Sequence, residues 1–185
     1  NGGLASVHPS DLLATVLSEV IVRSGIDPAE VGQVVGGCVS QVGEQSFNVA
    51  RTAWLTAGLP QEVAATTVDT QCGSSQQATN LATALVAAGV VDVAVACGVE
   101  VMSRIPIGSN SSKKLGLGVP VPKSYFERYE FASQFEGAER IADKWGLSRE
   151  DLDGFSAESH RRAAQATAEG RFENEIIPVR GKRRD

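Results

Sequence analysis

The sequence predicts an α/β protein whose helices pack against parallel strands. Short apolar segments rich in β-branched residues alternate with longer segments in which apolar residues recur at helical spacing. Ala, Val and Gly dominate, and only 5% of the residues are aromatic. Small side chains of this kind permit close packing of helix on sheet. The chain has 185 residues, 42% of them hydrophobic, which suffices to bury a core.

The first third of the chain alternates helix, strand and helix. Residues 8–25 carry Leu, Val and Ile at helical spacing, with Ser10 or Asp11 as the expected N-cap. Residues 31–41, VGQVVGGCVSQ, indicate a short buried strand. Residues 46–60, SFNVARTAWLTAGLP, indicate a second helix that a Gly and a Pro terminate.

The middle of the chain predicts a strand–helix–strand unit. Residues 63–71, VAATTVDTQ, are rich in β-branched side chains and indicate a strand. Residues 75–89 repeat apolar side chains along one face of a helix, and residues 90–100, VVDVAVACGVE, are almost wholly apolar. Strand, helix and strand within about 40 residues predict parallel strands joined by a right-handed crossover.

Beyond Ser103 the periodicity changes. Residues 104–130 mix Gly, Ser, Pro, Lys and Tyr, which indicates irregular structure such as a lid. Helices return over 135–146 and 148–170. At the start of the latter, Ser148 and an Asp three residues later predict a capping box.

Charge and hydropathy exclude several functional classes. The net charge of -5 and the lack of a long basic run argue against nucleic acid as a partner. No apolar run reaches the roughly 20 residues of a membrane span, and no signal-peptide pattern opens the chain. We therefore expect a cytoplasmic protein without membrane contact. Because the chain begins at Asn1 rather than at an initiator Met, we also expect residues upstream of it.

The three cysteines are Cys38, Cys72 and Cys97, an odd number without a C-x-x-C pair. This pattern argues against a metal site of the zinc type and favours a reduced compartment. Cys38 and Cys97 lie within predicted apolar strands, where a cysteine serves as a small buried residue. Neither is therefore expected to react.

Cys72 has a different position, in VDTQCGSSQQ at 68–77, after a predicted strand and at the start of a predicted helix. Exposed N–H groups and the helix dipole stabilise an anion there, and the thiolate is the nucleophilic form of cysteine. Gly73 and Ser74 supply a tight turn that lifts the side chain to the edge of the sheet, as in a nucleophile elbow. The residues alone leave two interpretations open: a nucleophile, or a buried cysteine that begins a helix.

The motifs VDTQCGSSQQA and DVAVACGVEVMSR together resemble the thiolase family of acyl-CoA acetyltransferases. The resemblance extends upstream through GGCVSQVGEQSFNVAR and downstream through AERIADKWGLSREDLDGFSAESHRRA and GRFENEIIPV, and it is weakest across 104–132. The family's C-G-S motif carries the acylated nucleophile. The resemblance therefore identifies Cys72 as the catalytic nucleophile.

The resemblance also implies a thiolase-like fold, a mixed sheet with a βαβ unit and helices on both faces. Residues 1–103 would form the first part of the N-terminal core domain, and 104–185 the beginning of the inserted loop domain. The rest of the N-terminal domain and the C-terminal domain would lie outside this chain.

A thiolase cleaves a 3-ketoacyl-CoA with coenzyme A, and it needs acid/base groups and oxyanion donors besides the nucleophile. The family takes these from an N-E-A-F loop, a G-H-P histidine and a second cysteine in C-x-G, none of which occurs here. His8 and His160 match no family motif. We therefore expect the chain alone to be catalytically incompetent and a complementary chain or segment to supply the missing residues.

The resemblance implies acyl-CoA and CoA as substrates, no cofactor, and a homo-oligomer, a dimer or tetramer. The segments GEQSFN, TQCGSSQQ and SQFEGAE are similar to those of degradative thiolases that act on fatty acids or bulky sterol side chains. Short-chain biosynthetic members carry a His-Met pair where this chain has Ser133 and Gln134. Gln134 and Phe135 either line the acyl or pantetheine path or are ordinary residues at a helix start.

Other residues near the motif are expected to be scaffold. Asn48 and Arg51 open the second helix, where an Arg can hold loops by several hydrogen bonds. Glu100 and Ser103 follow a strand end and are expected to brace the cysteine loop.

Two rival functions remain open at this stage. A ketoacyl synthase also acylates a Cys in a D-T-x-C motif, which VDTQC fits. An inactive thiolase-like subunit that binds acyl-CoA is the alternative from another class.

Overall fold

The computed structural model describes residues 2–111, 114 and 116–181 of the chain. The chain divides into two compact units, Asn1–Leu117 with Ile177–Asp185, and Gly118–Ile176. The predicted domain boundary between 103 and 104 concerns the domains of the family and stays a prediction. The first compact unit continues beyond it, since Ile105 is buried there, with 8% of its surface exposed.

The first unit alternates helices and strands in the predicted order. Its helices and strands are α1 (Pro9–Ser24), β1 (Val31–Gly37), α2 (Val49–Thr56), β2 (Ala64–Val68), α3 (Ser74–Ala87) and β3 (Val93–Gly98). The N-cap of α1 is His8, whose Nδ1 accepts a hydrogen bond from the Ser10 backbone N–H at 3.1 Å. The prediction of Ser10 or Asp11 as the cap was wrong, because Pro9 already takes the first helical position.

The described sheet has three strands in the order β2-β1-β3, and both pairings are parallel. This confirms the α/β class and the strand–helix–strand unit. The mixed sheet was expected of the whole N-terminal domain and stays a prediction, whereas the described strands are all parallel. The reason is that every connection between them passes through a helix, and such a crossover returns the chain in its original direction.

Helices cover both faces of this sheet, as predicted. Successive residues of a strand point to opposite faces, and Val34 and Val35 of β1 show the two environments. Val34 packs in a core cluster with residues of α1 and α2, including Leu17 and Trp54. Val35 packs in a second cluster with Ala78 and other residues of α3. The central strand is therefore buried on both sides.

The second unit contains α4 (Gln134–Trp145) and α5 (Arg149–Ala168). The predicted capping box is present at the start of α5, where Ser148 and Asp151 hydrogen-bond reciprocally. Within the part of the chain that the structure describes, no helix has the length and apolar character needed to cross a membrane.

Candidate active site at the carboxyl ends of the strands

Cys72 lies in the turn that joins β2 to α3, two residues before the helix begins at Ser74. Its side chain is exposed. The exposure rules out the interpretation of Cys72 as a buried residue that only begins a helix. It leaves the sulfur accessible to a ligand at the end of the sheet where parallel α/β proteins bind ligands.

Side chains of the turn itself hold it in shape. Asp69 accepts a hydrogen bond from the Gln71 N–H at 2.7 Å, and Gln71 has a left-handed backbone with φ of 53°. The Ser74 hydroxyl donates to the Gln71 carbonyl at 2.6 Å and accepts from the Thr70 N–H at 3.0 Å. These contacts fix the backbone on both sides of Cys72.

Two glycines let the start of α3 rest on the ends of the neighbouring strands. A Cβ on Gly37, the last residue of β1, would lie 2.5 Å from the Ser75 nitrogen and 2.6 Å from the Ser74 carbonyl carbon. A Cβ on Gly98, the last residue of β3, would collide with the Ser75 hydroxyl. Only glycine therefore permits this approach. In the sequence, a glycine at a strand end indicates that another segment approaches closely, but it does not show which segment that is.

A cavity of about 270 Å³ opens where these segments meet. The ends of β1 and β3 and the start of α3 form its lining: Gly37, Cys38, Val39, Gln71, Cys72, Ser74, Ser75, Gly98, Val99 and Glu100. Cys72 thus lies in a recess rather than on a flat surface. Among the residues that the structure describes, no group of three or more His, Cys, Asp and Glu side chains converges as a metal site would require.

Glu100 holds the loop that follows β1. Its Oε1 accepts hydrogen bonds from the N–H groups of Val39 at 2.7 Å and Ser40 at 2.8 Å, and from the Cys38 thiol at 3.2 Å. The expectation that Glu100 braces the cysteine loop was therefore wrong. Because β1 lies next to β3 in the sheet, the loop after β1 is the nearer one.

Gln45 is a site residue that sequence reasoning missed. Its side chain is fully buried, with 0% exposed. Its Nε2 donates to the Ser40 carbonyl at 2.9 Å, and its Oε1 accepts from the Val101 N–H at 2.8 Å. A lone Gln in GEQSFN gives no signal for this role, because its partners are distant in the sequence.

Cys38 is buried as predicted, whereas Cys97 is only half-buried. Cys38 follows β1 and has 1% of its surface exposed, and burial together with the bond to Glu100 raises its pKa to about 12. Cys97 lies within β3, and burial raises its pKa to about 12. Both therefore remain thiols at neutral pH.

Asn48 and Arg51 are scaffold residues, as predicted. Asn48 caps α2 from a left-handed backbone, and its side chain donates to the Ala65 carbonyl at 2.8 Å and accepts from the Thr67 hydroxyl at 2.7 Å. Arg51 donates to the carbonyls of Gln61, at 2.6 Å, and Val63. Together they tie α2 to β2, the strand that leads to Cys72.

The sequence that forms this cavity matches a known protein family. The family described as the N-terminal domain of thiolase matches residues 1–185. The chain belongs to the thiolase family. The match includes the Cys72 turn, the two glycines and the Glu100 loop, so every element of the cavity lies in the thiolase part of the chain.

Two relatives align with almost the whole of this thiolase chain. It is 47% identical over 184 residues to the steroid 3-ketoacyl-CoA thiolase FadA6 of Mycobacterium tuberculosis, which covers 96% of the chain and 45% of that protein. It is 38% identical over 179 residues to a 3-ketoacyl-CoA thiolase of Bacillus subtilis, with coverages of 96% and 44%. The chain spans less than half the length of these relatives.

A solved structure gives the same result for the fold. The crystal structure of the Bacillus anthracis acetyl-CoA acetyltransferase matches this thiolase chain with a TM-score of 0.77 and 32% identity. The match covers 96% of this chain and 46% of that one. The thiolase-like N-terminal fold is thereby confirmed.

The remaining predicted residues lie outside the cavity lining. Gln134 and Phe135 begin α4 in the second unit, where Phe135 has 86% of its surface exposed. Ser133 is the N-cap of that helix and accepts from the Glu136 N–H at 3.2 Å. His8 caps α1, and His160 is exposed on α5. Neither histidine takes part in the lining of the Cys72 cavity.

Proposed function

We propose that this chain carries the nucleophile of a thiolase that cleaves 3-ketoacyl-CoA with coenzyme A through an acyl-enzyme at Cys72. The observation that carries the proposal is the position of the Cys72 thiol. It is the exposed one of the three cysteines, and it lies at the start of α3 within the cavity at the strand ends. The family membership of the chain and the names of its relatives support the same reaction.

The reaction balances as one carbon–carbon cleavage that forms a thioester on Cys72, followed by one thioester exchange with coenzyme A. The Cys72 thiolate adds to the keto carbon at position 3, and the bond between carbons 2 and 3 then breaks. Acetyl-CoA leaves as an enolate that takes a proton at carbon 2, and the shortened acyl group stays on Cys72. The thiolate of a second coenzyme A attacks this acyl group and releases Cys72 as a thiolate.

The chain contributes stabilisation of the sulfur anion. The first N–H groups of an α-helix lack carbonyl partners within the helix, and the helix dipole places partial positive charge there. Gly73, the N-cap of α3, has no side chain that competes for these groups. The N–H groups of Gly73 and Ser74, which follow Cys72 directly, donate to the carbonyls of Thr70 at 3.1 Å and Gln71 at 3.0 Å. A thiolate on Cys72 therefore depends on the partial positive charge at the start of α3.

The proton transfers need residues that this sequence does not contain. The family's N-E-A-F, G-H-P and C-x-G motifs are absent from the 185 residues, and neither His8 nor His160 lines the cavity. We propose that a complementary thiolase segment or chain provides them. Thiolysis by the purified 185-residue chain alone would contradict this part of the proposal.

The substrate class we propose is a bulky 3-ketoacyl-CoA, from a fatty acid or sterol side chain, in a degradative reaction. The similarity to a protein named as a steroid 3-ketoacyl-CoA thiolase supports it. Ser133 and Gln134 in place of a His-Met pair support it too. Gln134 and the highly exposed Phe135 are the proposed lining of the acyl or pantetheine path, since a large apolar side chain in water gains from ligand contact.

The test is steady-state thiolysis by the intact enzyme that contains this chain. Cys72→Ala should lower kcat/KM at least roughly ten-thousand-fold, as loss of a covalent nucleophile does. Cys97→Ala, a cysteine outside the cavity lining, is the matched control and should retain activity. Ring-bearing or long-chain substrates should be preferred to acetoacetyl-CoA. Persistent thiolysis in Cys72→Ala would refute the role of Cys72, and preference for acetoacetyl-CoA would refute the substrate class.

A further inference from the structure

Two thiols line the cavity in which acyl transfer is proposed. Cys38 and Cys72 both contribute to its wall, Cys38 from the end of β1 and Cys72 from the turn before α3. Cys38 is held within this wall, with 1% of its surface exposed, whereas Cys72 is exposed. Orderly acyl transfer requires that one of the two thiols stays inert.

The Glu100 carboxylate contacts this part of the wall at three points. Its Oε1 accepts from the consecutive N–H groups of Val39 and Ser40, at 2.7 and 2.8 Å. The same oxygen accepts from the Cys38 thiol at 3.2 Å. An ionised carboxylate can only accept hydrogen bonds, so the sulfur must carry the proton in this contact.

Gln45 supports the same wall from behind. It is fully buried and links the Ser40 carbonyl to the Val101 N–H, so that the loop after β1 and the segment after β3 hold each other. Its Nε2 also lies 3.4 Å from the second oxygen of Glu100. The carboxylate of Glu100 is therefore held in place on both sides.

We propose that Glu100 is a positioning residue of the Cys72 site: it fixes residues 38–40 of the cavity wall and holds the Cys38 thiol protonated, so that Cys72 alone is acylated. This inference rests on the proposed acyl transfer at Cys72. Glu100 touches no reacting atom, and it acts through Cys38 and the backbone of Val39 and Ser40.

The surroundings of Cys38 determine the direction in which its pKa should change when Glu100 is replaced. Burial is the largest cause that raises the pKa of Cys38, followed by the hydrogen bond and the negative charge of Glu100, and then by the charge of Asp69. The N–H of Ser40 acts in the opposite direction. Removal of the charge on Glu100 leaves burial and Asp69 in place and makes the Cys38 thiolate less unfavourable. The pKa of Cys38 should therefore fall in such a variant.

Alkylation by iodoacetamide, followed by peptide mass spectrometry, measures this effect in the intact enzyme. Glu100→Gln keeps an oxygen that can accept from Val39 and Ser40 but removes the charge. The pH profile of Cys38 alkylation should move down by about one unit, which is a tenfold faster reaction at a fixed pH below the pKa. Cys97 should keep its profile, since it makes no contact with Glu100. Glu62→Gln, an exposed position outside the cavity lining, is the matched control.

Glu100→Ala removes both the charge and the acceptor, so Cys38 alkylation should rise by more than tenfold while Cys97 stays slow. An unchanged Cys38 profile in Glu100→Gln would overturn the inference. So would an equal rise at Cys38 and Cys97, which indicates general loosening. If Glu100→Ala fails to fold, Glu100→Gln decides.

A second readout separates this inference from the proposed function. With acetyl-CoA as acyl donor, acyl groups should appear on Cys72 in the wild-type enzyme and on both Cys38 and Cys72 in Glu100→Ala. No acylation of Cys72 in the wild type would defeat the proposed function, whereas the Cys38 alkylation profile still reports on Glu100. Acyl groups confined to Cys72 in Glu100→Ala would overturn the inference.

Discussion

The three cysteines have the same side chain and different surroundings. Cys72 lies exposed in a turn before a helix, whereas burial raises the pKa of both Cys38 and Cys97 to about 12. The sequence placed Cys72 and Cys97 correctly, because a strand followed by a Gly-Ser turn and a helix is visible in the amino-acid order, whereas Cys38, predicted within a strand, follows the end of β1. The partners of Cys38 were not visible, since Glu100 is 62 positions away and its contact depends on strand order.

The raised thiol pKa values predict an alkaline limit to stability. A thiol whose pKa is higher in the folded than in the unfolded state binds its proton more tightly when folded. Its contribution is fully present below the unfolded value of 9.0 and is lost as pH rises toward about 12. The free energy of unfolding should therefore fall above about pH 9.

Urea denaturation across an alkaline pH series measures this fall. Cys97→Ala removes one of the two groups and should make the decline shallower, although the variant is less stable at neutral pH. A decline as steep as that of the wild type would show that Cys97 does not titrate in this range.

At the scale of elements, the sequence predicted types and order well and boundaries less well. The strand predicted over 63–71 ends at Val68, because Asp69 and Ser74 use the following N–H groups in a turn. The helix predicted from residue 46 begins at Val49, because Asn48 has a left-handed backbone. Both differences arise from side-chain bonds to the backbone, which periodicity does not register.

The contact between α3 and the strand ends predicts unequal effects for two glycines. Gly37→Ala should destabilise by about 1–3 kcal/mol or more, since its Cβ meets backbone atoms of Ser74 and Ser75 that cannot rotate away. Gly98→Ala should cost less when combined with Ser75→Gly, because its nearest obstacle is the Ser75 side chain. The free energy of unfolding from urea denaturation measures both.

Gly154→Ala is the matched control for these substitutions. Gly154 lies in α5 with nothing within 4 Å of an added Cβ, and the change should stabilise that helix by about 0.5–1 kcal/mol. If Gly37→Ala were as well tolerated as Gly154→Ala, the close approach of α3 to β1 would be contradicted.

At the scale of the whole molecule, we propose that the chain is part of a larger catalytic arrangement. It matches less than half the length of its named relatives, and the family's later motifs are absent from its sequence. No amount of sequence reading within 185 residues could place those groups. The fold and the nucleophile turn, in contrast, depend on local patterns that the chain contains.

The oligomeric state stays a prediction from the family resemblance. β2, the strand that leads to Cys72, lies at an edge of the sheet among the described residues, and an unpaired edge can accept another strand. We expect sedimentation of the intact enzyme to show a dimer or tetramer. A monomer at micromolar concentration would contradict this expectation.

The identity of the acylated residue decides whether Cys72 is the nucleophile. The intact enzyme is mixed with a 3-ketoacyl-CoA without free coenzyme A, quenched in acid, digested and analysed by mass spectrometry. We expect the shortened acyl group on the peptide that contains Cys72, and on neither Cys38 nor Cys97. An acyl group on another residue, or turnover without any acylated peptide, would contradict this role of Cys72.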